Sequence, residues 1–364
     1  MTAAYPEVIG SADGLPASAR DDANRILLDD DLATLGDKES DGTLTAEEKK
    51  HLANARAARD GLERAEDYVD PTSGEKPGGT LWLYDPTAFD GDGRVAVAVG
   101  DMDAADDVAV FTPGIKSDMS DTDFYTDKMT NVYESARYNG DGSSVAAMFW
   151  LGYDAPTGPT DPATLTEGRA EDGGRRLADA LDGLRASRPD DPHVTAIGHN
   201  YGSTTTSYAA AEDEFAADDV VLIGSPGAGP ADNVDELSVG SGHVYVGRDS
   251  RDGVAMLGDE GWVGKGPVGL GTDPSSEDFG ATRFEAENVD RSNLPNFGDA
   301  HGSYLDDDTE SLYNIGKIVD GYGSDVEEAE QSYDPWWGGA IDPEWDREPT
   351  ENEPGRSDTG PDAT

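Results

Sequence analysis

The chain has 364 residues, of which 77 are acidic and 26 are basic, so its formal net charge at pH 7 is -51. A field of this sign repels nucleic-acid phosphates and anionic membrane surfaces, and we expect no nucleic-acid partner. The absence of cysteine excludes disulfide bonds, thiol catalysis and cysteine-bound zinc. No run reaches the roughly 18 apolar residues of a membrane span, and residues 1–13 lack the features of a signal peptide. We therefore expect no integral membrane contact, in a protein that is either cytoplasmic or exported without a conventional signal peptide.

The N-terminal part of the chain is predicted to be helical. Residues 16–35 and a second run that begins at Thr45 both show the periodicity of amphipathic helices. Thr45 and Glu48 form a capping-box pattern at the start of the second run, which stops at Asp70-Pro71. We assign residues 1–75 to a helical segment.

From Leu81 onward, short β-rich runs alternate with helical stretches, which predicts a doubly wound, mostly parallel α/β sheet. Several runs are continuously apolar, as expected of strands covered on both faces. We assign residues 76–324 to this domain. Residues 325–364 are rich in Glu, Asp, Pro and Gly and form an acidic tail, predicted to be disordered except where Trp336, Trp337 and Trp345 could dock locally. The predicted strands are 95–99, 108–112, 145–151, 194–198, 220–224, 244–247 and 283–287.

One predicted strand leads into a tight turn and then into a helix of small residues. The turn reads Gly198-His199-Asn200-Tyr201-Gly202, which matches the nucleophile elbow G-x-S-x-G of α/β hydrolases except that asparagine replaces serine. The two glycines are needed because the backbone of this turn approaches the flanking strand and helix closely. The sequence therefore predicts an α/β-hydrolase fold with Asn200 at the nucleophile position.

The general base can be found by elimination among the five histidines of the chain. His51 lies in an N-terminal helix, His193 and His243 open strands, and His199 lies inside the elbow. His301 alone follows the last predicted strand in a loop, where the base of these folds belongs.

The acid and the oxyanion hole follow from the same order of elements. The loop after the strand 244–247 contains both Asp249 and Asp252. We prefer Asp252, because Asp252-Gly253-Val254 resembles the acid-bearing turn of these folds, and Asp249 is the alternative. The oxyanion hole should combine the backbone N–H of Tyr201 with that of Ile115, in the loop after the strand 108–112.

These residues resemble an actinobacterial α/β-hydrolase domain of unknown function whose elbow reads G-H-S-Y-G-S. The resemblance implies a serine hydrolase, esterase-like or lipase-like, that acts on a small acyl or lipid-like substrate and requires no cofactor for catalysis. Some members resemble parts of type VII secretion systems, which implies an association with such a system. The resemblance extends to about residue 322 and is carried by Gly14-Leu15-Pro16, Ala23-Asn24-Arg25, Val97 to Asp101, Val110 to Gly114, Trp150 to Pro156, Gly224 to Gly227, Gly271 to Pro274 and His301 to Tyr304.

Asn200 departs from this pattern at the position that the chemistry needs most. A carboxamide has no hydroxyl for His301 to deprotonate and is a poor nucleophile, so the acyl-enzyme route is closed. Three explanations stay open: an engineered inactive variant, a natural pseudoenzyme that binds without turnover, and deamidation of Asn200 to a nucleophilic aspartate, which the bulky Tyr201 should slow. We expect an esterase-like framework that is inactive as written, with a non-catalytic binding or secretion-associated module as the alternative.

Residues 37–48 match the pattern of an EF-hand calcium loop between two helices. Glu39 departs from the usual Asp or Asn, and EF-hands normally occur in pairs. The alternative is an acidic linker in which Glu48 serves only the capping box. A bound calcium ion would brace the N-terminal helices rather than take part in the chemistry. The predicted ligands are Asp37, Glu39, Asp41, Glu48 and the backbone carbonyl of Thr43.

Overall fold

A computed structural model describes residues 4–257, 269–289, 297–307, 309–330 and 342–350. Its described residues form one sheet of eight strands: β1 Gly79–Asp85, β2 Arg94–Val99, β3 Asp107–Thr112, β4 Val145–Leu151, β5 His193–His199, β6 Asp219–Ile223, β7 Val244–Gly247 and β8 Thr282–Phe284. The spatial order is β1-β2-β4-β3-β5-β6-β7-β8. β2 runs antiparallel to both β1 and β4, whereas all other neighbours are parallel. This topology confirms the predicted α/β-hydrolase fold.

The helices in the described ranges are α1 Pro6–Ile9, α2 Ala17–Ser40, α3 Ala46–Asp67, α4 Ala88–Gly91, α5 Thr122–Asn139, α6 Gly168–Ser187, α7 Tyr201–Ala210, α8 Phe297–Gly302 and α9 Glu310–Val319. α3, α5 and α9 pack in series on one face of the sheet, while α6 and α7 pack together on the other. Every residue of β3, β4 and β6 is buried, because both faces of these central strands are covered. None of the helices in these ranges combines the length and the apolar character that crossing a membrane requires.

The helical N-terminal segment forms a hairpin of α2 and α3. The capping box at the start of α3 is present as the sequence predicts: Thr45 accepts from the backbone N–H of Glu48, and the Glu48 carboxylate accepts from that of Thr45. Helix α2 continues to Ser40 and α3 starts at Ala46, so only residues 41–45 connect them. Much of the predicted calcium loop is therefore helical.

Two carboxylates of that loop have other partners in this structure. Glu39 forms an ion pair with Arg56 at 2.5 Å, and Glu48 forms one with Lys38 at 2.6 Å. Across the described residues, no three His, Cys, Asp or Glu side chains form a group that could hold a metal ion. Calcium binding stays a prediction, and it would require the connection between α2 and α3 to rearrange so that the ligands surround one point.

Part of the tail that the sequence predicts to be disordered packs on the domain. The buried carboxylate of Asp342 lies 3.1 Å from Arg248 and 2.9 Å from Arg283, and the guanidinium of Arg251 lies 5.4 Å from the ring centroid of Trp345. Buried guanidinium groups are costly unless they are paired, and a carboxylate distant in sequence pairs with two of them here. Trp336 and Trp337 lie outside the described residues.

Candidate active site

The elbow lies between β5 and α7, and its central residue has a conformation that few side chains tolerate. Asn200 has φ 57 and ψ -132, and backbone strain of this kind costs about 1–3 kcal/mol. A Cβ on Gly202 would lie 2.2 Å from the carbonyl oxygen of Thr112, and a Cβ on Gly198 would lie 2.6 Å from that of Gly202. The close approach of β3 to the start of α7 therefore explains Gly202, and the close approach of β5 to the first turn of α7 explains Gly198.

The carboxamide oxygen of Asn200 occupies the position predicted for the oxyanion. Its Oδ1 accepts a hydrogen bond from the backbone N–H of Tyr201 at 2.6 Å and another from that of Ile115 at 3.2 Å. Gly114 allows the loop to come this close, because a Cβ there would lie 2.4 Å from the Cβ of Asn200. The two predicted N–H donors thus converge on one position, the oxyanion hole, and the side chain of Asn200 occupies it.

The imidazole of His301 lies between the amide nitrogen of Asn200 and the buried carboxylate of Asp252. Its Nε2 lies 2.5 Å from Nδ2 of Asn200, and its Nδ1 lies 2.8 Å from Oδ2 of Asp252. Because an ionised carboxylate only accepts, Nδ1 carries a proton and Nε2 accepts from the Asn200 amide. The sequence predicted a loop at His301, whereas the residue lies near the end of the short helix α8. This helix follows β8 along the chain and presents the imidazole to the elbow.

Asp252 is fully buried and surrounded by donors. Its Oδ1 accepts from the backbone N–H of Val254 at 2.7 Å and of Ala255 at 3.1 Å, and its Oδ2 accepts from the hydroxyl of Tyr304 at 2.7 Å. Burial raises the pKa of Asp252, but the charge of His301 and these hydrogen bonds outweigh burial, so its pKa lies below the usual value. The carboxylate therefore stays ionised and can orient His301.

Asp249 is as well buried, but it belongs to a neighbouring turn. Its carboxylate accepts from the backbone N–H of Arg251 at 2.8 Å and from that of Asn288 at 3.3 Å. The structure therefore brings His301 to Asp252, the preferred acid, and gives Asp249 a role in holding loops together.

Two supporting residues were not recognised in the sequence. Tyr304 holds Asp252 and also accepts from the backbone N–H of Asp249 at 3.0 Å. His199 donates from Nε2 to the backbone carbonyl of His301 at 2.8 Å. Burial and the charge of His301 lower the pKa of His199 to about 3, so this ring stays neutral. Tyr304 could have been identified from its position three residues after His301, because this spacing suggests that both side chains are directed at the same acid.

A small aromatic cavity adjoins these residues. Its volume is about 140 Å³, and its walls include Phe111, Tyr125, His199, Tyr304 and Leu305. The rings of Tyr125 and Phe111 lie 5.6 Å apart, and those of His199 and His301 lie 4.7 Å apart. The cavity is therefore mostly apolar, with Lys128 also in its wall, and it lies next to His199 and Tyr304, which contact His301 and Asp252.

The chain is similar in sequence to a family model and to mycobacterial proteins. A family model described as "Alpha/beta hydrolase" matches residues 88–259, which include the elbow and Asp252. Uncharacterized protein Rv2079 of Mycobacterium tuberculosis is 34% identical over 402 residues, a match that covers 96% of this chain and 60% of that protein. The chain thus spans less than two thirds of that relative. Uncharacterized protein Mb0988c of Mycobacterium bovis is 34% identical over 214 residues, which cover 56% of this chain and 74% of that protein.

Among solved structures, dienelactone hydrolase from Anabaena variabilis has a TM-score of 0.32 at 17% identity, covering 50% of this chain and 79% of that one. Naproxen esterase from Bacillus subtilis has a TM-score of 0.30 at 14% identity, covering 52% of each chain. The family model and the mycobacterial relatives, together with the sheet topology, lead to one conclusion. The chain belongs to an alpha/beta-hydrolase family that includes uncharacterized mycobacterial proteins.

Proposed function

We propose that the chain carries the acid, base and oxyanion hole of an esterase-like serine hydrolase, and that Asn200 makes it inactive as it stands. The observation that carries this proposal is the line from Asp252 through His301 to Asn200, with contacts of 2.8 and 2.5 Å. A serine hydroxyl at position 200 would lie within reach of the imidazole that must deprotonate it. The carboxamide offers no such hydroxyl.

The proposed substrate is a carboxylic ester or a related acyl compound with a short chain. Two backbone N–H groups that converge on one point are suited to the oxyanion of a tetrahedral acyl-transfer intermediate. The cavity of about 140 Å³ lined by His199 and Tyr304 would take a short apolar group. Pockets for drug-sized ligands usually measure about 300–1,000 Å³, so a long chain would need additional space. This chemistry requires no cofactor.

The second candidate function is a module that binds a ligand without turnover. It is favoured by one observation: Oδ1 of Asn200 already fills the oxyanion hole, so a ligand would bind with its carbonyl elsewhere. An association with a secretion system rests on the resemblance to other proteins alone.

The test is the variant Asn200→Ser, assayed with p-nitrophenyl esters of increasing chain length and with a fluorophosphonate probe. We expect the serine variant to hydrolyse short esters and to be labelled, and the parent chain to do neither. A matched control adds His301→Ala to the serine variant, which should lower kcat by at least about 10³-fold.

An inactive and unlabelled serine variant with the circular dichroism and melting curve of the parent, over a range of salt concentrations, would contradict the hydrolase proposal. The binding module would then replace it.

A further inference from the structure

Asn200 holds its own side-chain amide in the position of an amide substrate. Its Oδ1 accepts from Tyr201 N–H at 2.6 Å and from Ile115 N–H at 3.2 Å, while its Nδ2 lies 2.5 Å from Nε2 of His301. In an acyl-transfer site, donors of this kind hold the carbonyl oxygen, and the histidine protonates the leaving atom. The groups that would act on a bound amide therefore surround Cγ of Asn200.

We infer that this site hydrolyses the side-chain amide of Asn200 and converts the residue to aspartate. The inference rests on the same base and oxyanion hole as the proposed function, but it needs no substrate other than water. One water molecule is consumed, one ammonia molecule is released, and no oxidant or reductant takes part. Position 200 is thus a site of self-modification.

The reaction has two steps. In the first, the oxygen of water forms a bond to Cγ, one proton of the water passes to Nε2 of His301, and the carbonyl electron pair moves to Oδ1. Tyr201 and Ile115 hold the resulting oxyanion. In the second, the pair returns, the Cγ–Nδ2 bond breaks, and His301 passes its proton to Nδ2, which leaves as ammonia. The carboxylic acid that remains then ionises.

Burial and charge around the site are compatible with this route. Asn200 is 5% exposed and the side chain of His301 is 15% exposed, so the imidazole borders solvent, and an entering water would take the place of the Asn200 amide at Nε2. The buried carboxylate of Asp252 lies 2.8 Å from Nδ1 and would stabilise the imidazolium that forms in the first step.

The usual route of asparagine deamidation is disfavoured at this position. In that route, the backbone nitrogen of the following residue attacks Cγ, and the cyclic imide opens to a mixture of aspartate and isoaspartate. Here the following nitrogen belongs to Tyr201, which starts α7 and already donates its hydrogen to Oδ1. Direct hydrolysis leaves this peptide bond intact and yields aspartate alone, so the product identifies the route.

The experiment incubates the folded full-length chain in water enriched in heavy oxygen and follows the peptide that contains residue 200 by mass spectrometry. We expect time-dependent conversion to aspartate with one heavy oxygen atom incorporated and no isoaspartate. Asn54 is the internal control, because its amide donates to the carbonyls of Pro86 and Gly91, each at 2.8 Å, and it should stay unchanged.

Two variants separate the role of the base from a general effect of substitution. His301→Gln should slow the conversion by about 10²-fold or more, because it removes the group that accepts and returns the proton. His243→Gln is the matched control: His243 is half-exposed and contacts Asp219 at 2.7 Å, and its loss should leave the rate unchanged.

Three results would overturn the inference: an intact Asn200 after prolonged incubation of the folded chain, conversion of His301→Gln at the parental rate, or equal rates with isoaspartate in the folded and the unfolded chain. The first and third need no variant, so a folding defect in His301→Gln leaves the inference testable. Failure of Asn200→Ser to cleave esters would overturn the proposed function instead, since hydrolysis of the Asn200 amide is measured independently of any ester.

Discussion

Oδ1 of Asn200 accepts a hydrogen bond from the backbone N–H of Ile115, a residue 85 positions earlier in the chain. Together with the N–H of Tyr201, this contact fills the oxyanion hole from within. A substrate carbonyl could enter the oxyanion hole only by displacing the Asn200 side chain, which belongs to the protein itself and cannot diffuse away. Removal of this side chain should therefore improve binding of a tetrahedral anion, although it adds no nucleophile.

The first prediction is that Asn200→Gly binds a short alkyl phosphonate about tenfold more tightly than the parent, because two backbone donors become free and each is worth about 0.5–1.5 kcal/mol. Glycine also tolerates the positive φ of this residue. Isothermal titration calorimetry measures the difference. The control is Asn200→Gln, whose longer amide should keep the hole blocked. Equal affinities in all three chains would show that the hole is accessible in the parent.

A second prediction concerns the two aspartates after β7. In the Asn200→Ser variant, Asp252→Asn should lower kcat by about 10⁴-fold, because an amide cannot keep His301 in the productive tautomer. Asp249→Asn should lower kcat much less and act mainly on stability, since Asp249 bonds backbone N–H groups. Steady-state kinetics and urea unfolding of both variants check this. A larger loss of kcat from Asp249→Asn would reverse the assignment.

The third prediction concerns a cluster of titratable residues at the amino ends of β3, β5 and β6, whereas the elbow lies at the carboxyl end of β5. His193 lies 2.7 Å from Asp219 and 3.6 Å from Asp107. Burial raises the pKa of Asp107 to about 6. Burial lowers the pKa of His193, but the bond to Asp219 outweighs it, so this pKa is raised. Both groups therefore bind protons more tightly in the folded chain than in the unfolded chain, so stability should fall as pH rises from 3.8 through about 6 for Asp107, and above 6.5 for His193.

Asp107→Asn should remove the carboxylate part of this loss, because the destabilisation by ionised Asp107 is present above pH of about 6 and disappears as the pH falls towards 3.8. At about pH 8, the substitution should raise the free energy of unfolding by about 1–2 kcal/mol more than it does at about pH 5. Urea unfolding at the two pH values measures this difference. Asp106→Asn is the matched control, because hydrogen bonds from Ser144 lower the pKa of this exposed carboxyl, and it should bring no gain. An identical response of both variants would contradict the prediction.

Calcium provides the fourth prediction. If the hairpin of α2 and α3 opens to bind it, calcium at about 100 times its Kd adds about 2.7 kcal/mol to the stability of the folded state, seen as a higher Tm at matched ionic strength. The ion must displace Lys38 from Glu48, whose pKa the ion pair with Lys38 lowers to about 2. Glu48→Gln should abolish the response. The absence of a saturable site in calorimetric titration would leave residues 37–48 as an acidic linker.

Local patterns in the sequence were sufficient for strands β2 to β8, the elbow and the capping box, whereas β1 Gly79–Asp85 was not among the predicted strands. Continuous apolar runs predict strands such as β3 and β4, because a strand that is covered on both faces has no polar side. The two glycines around Asn200 predict the elbow. The conflict that excludes a Cβ at Gly198 is with the adjoining helix, whereas the conflict at Gly202 is with Thr112 in the remote strand β3. Elimination among the histidines led to His301, since each of the other four lies in an element that excludes it.

Only the tertiary structure decided between Asp249 and Asp252. The two residues lie in one loop, and which of them contacts His301 depends on how α8 lies against the loop that follows β7. The same holds for Asp342, whose buried contacts with Arg248 and Arg283 join segments far apart in the chain. The amide oxygen of Asn200 fills the oxyanion hole because β3, the elbow and the loop at Ile115 converge there. Residue types and their spacing determine local conformation, whereas distances between atoms of remote segments exist only once the sheet has assembled.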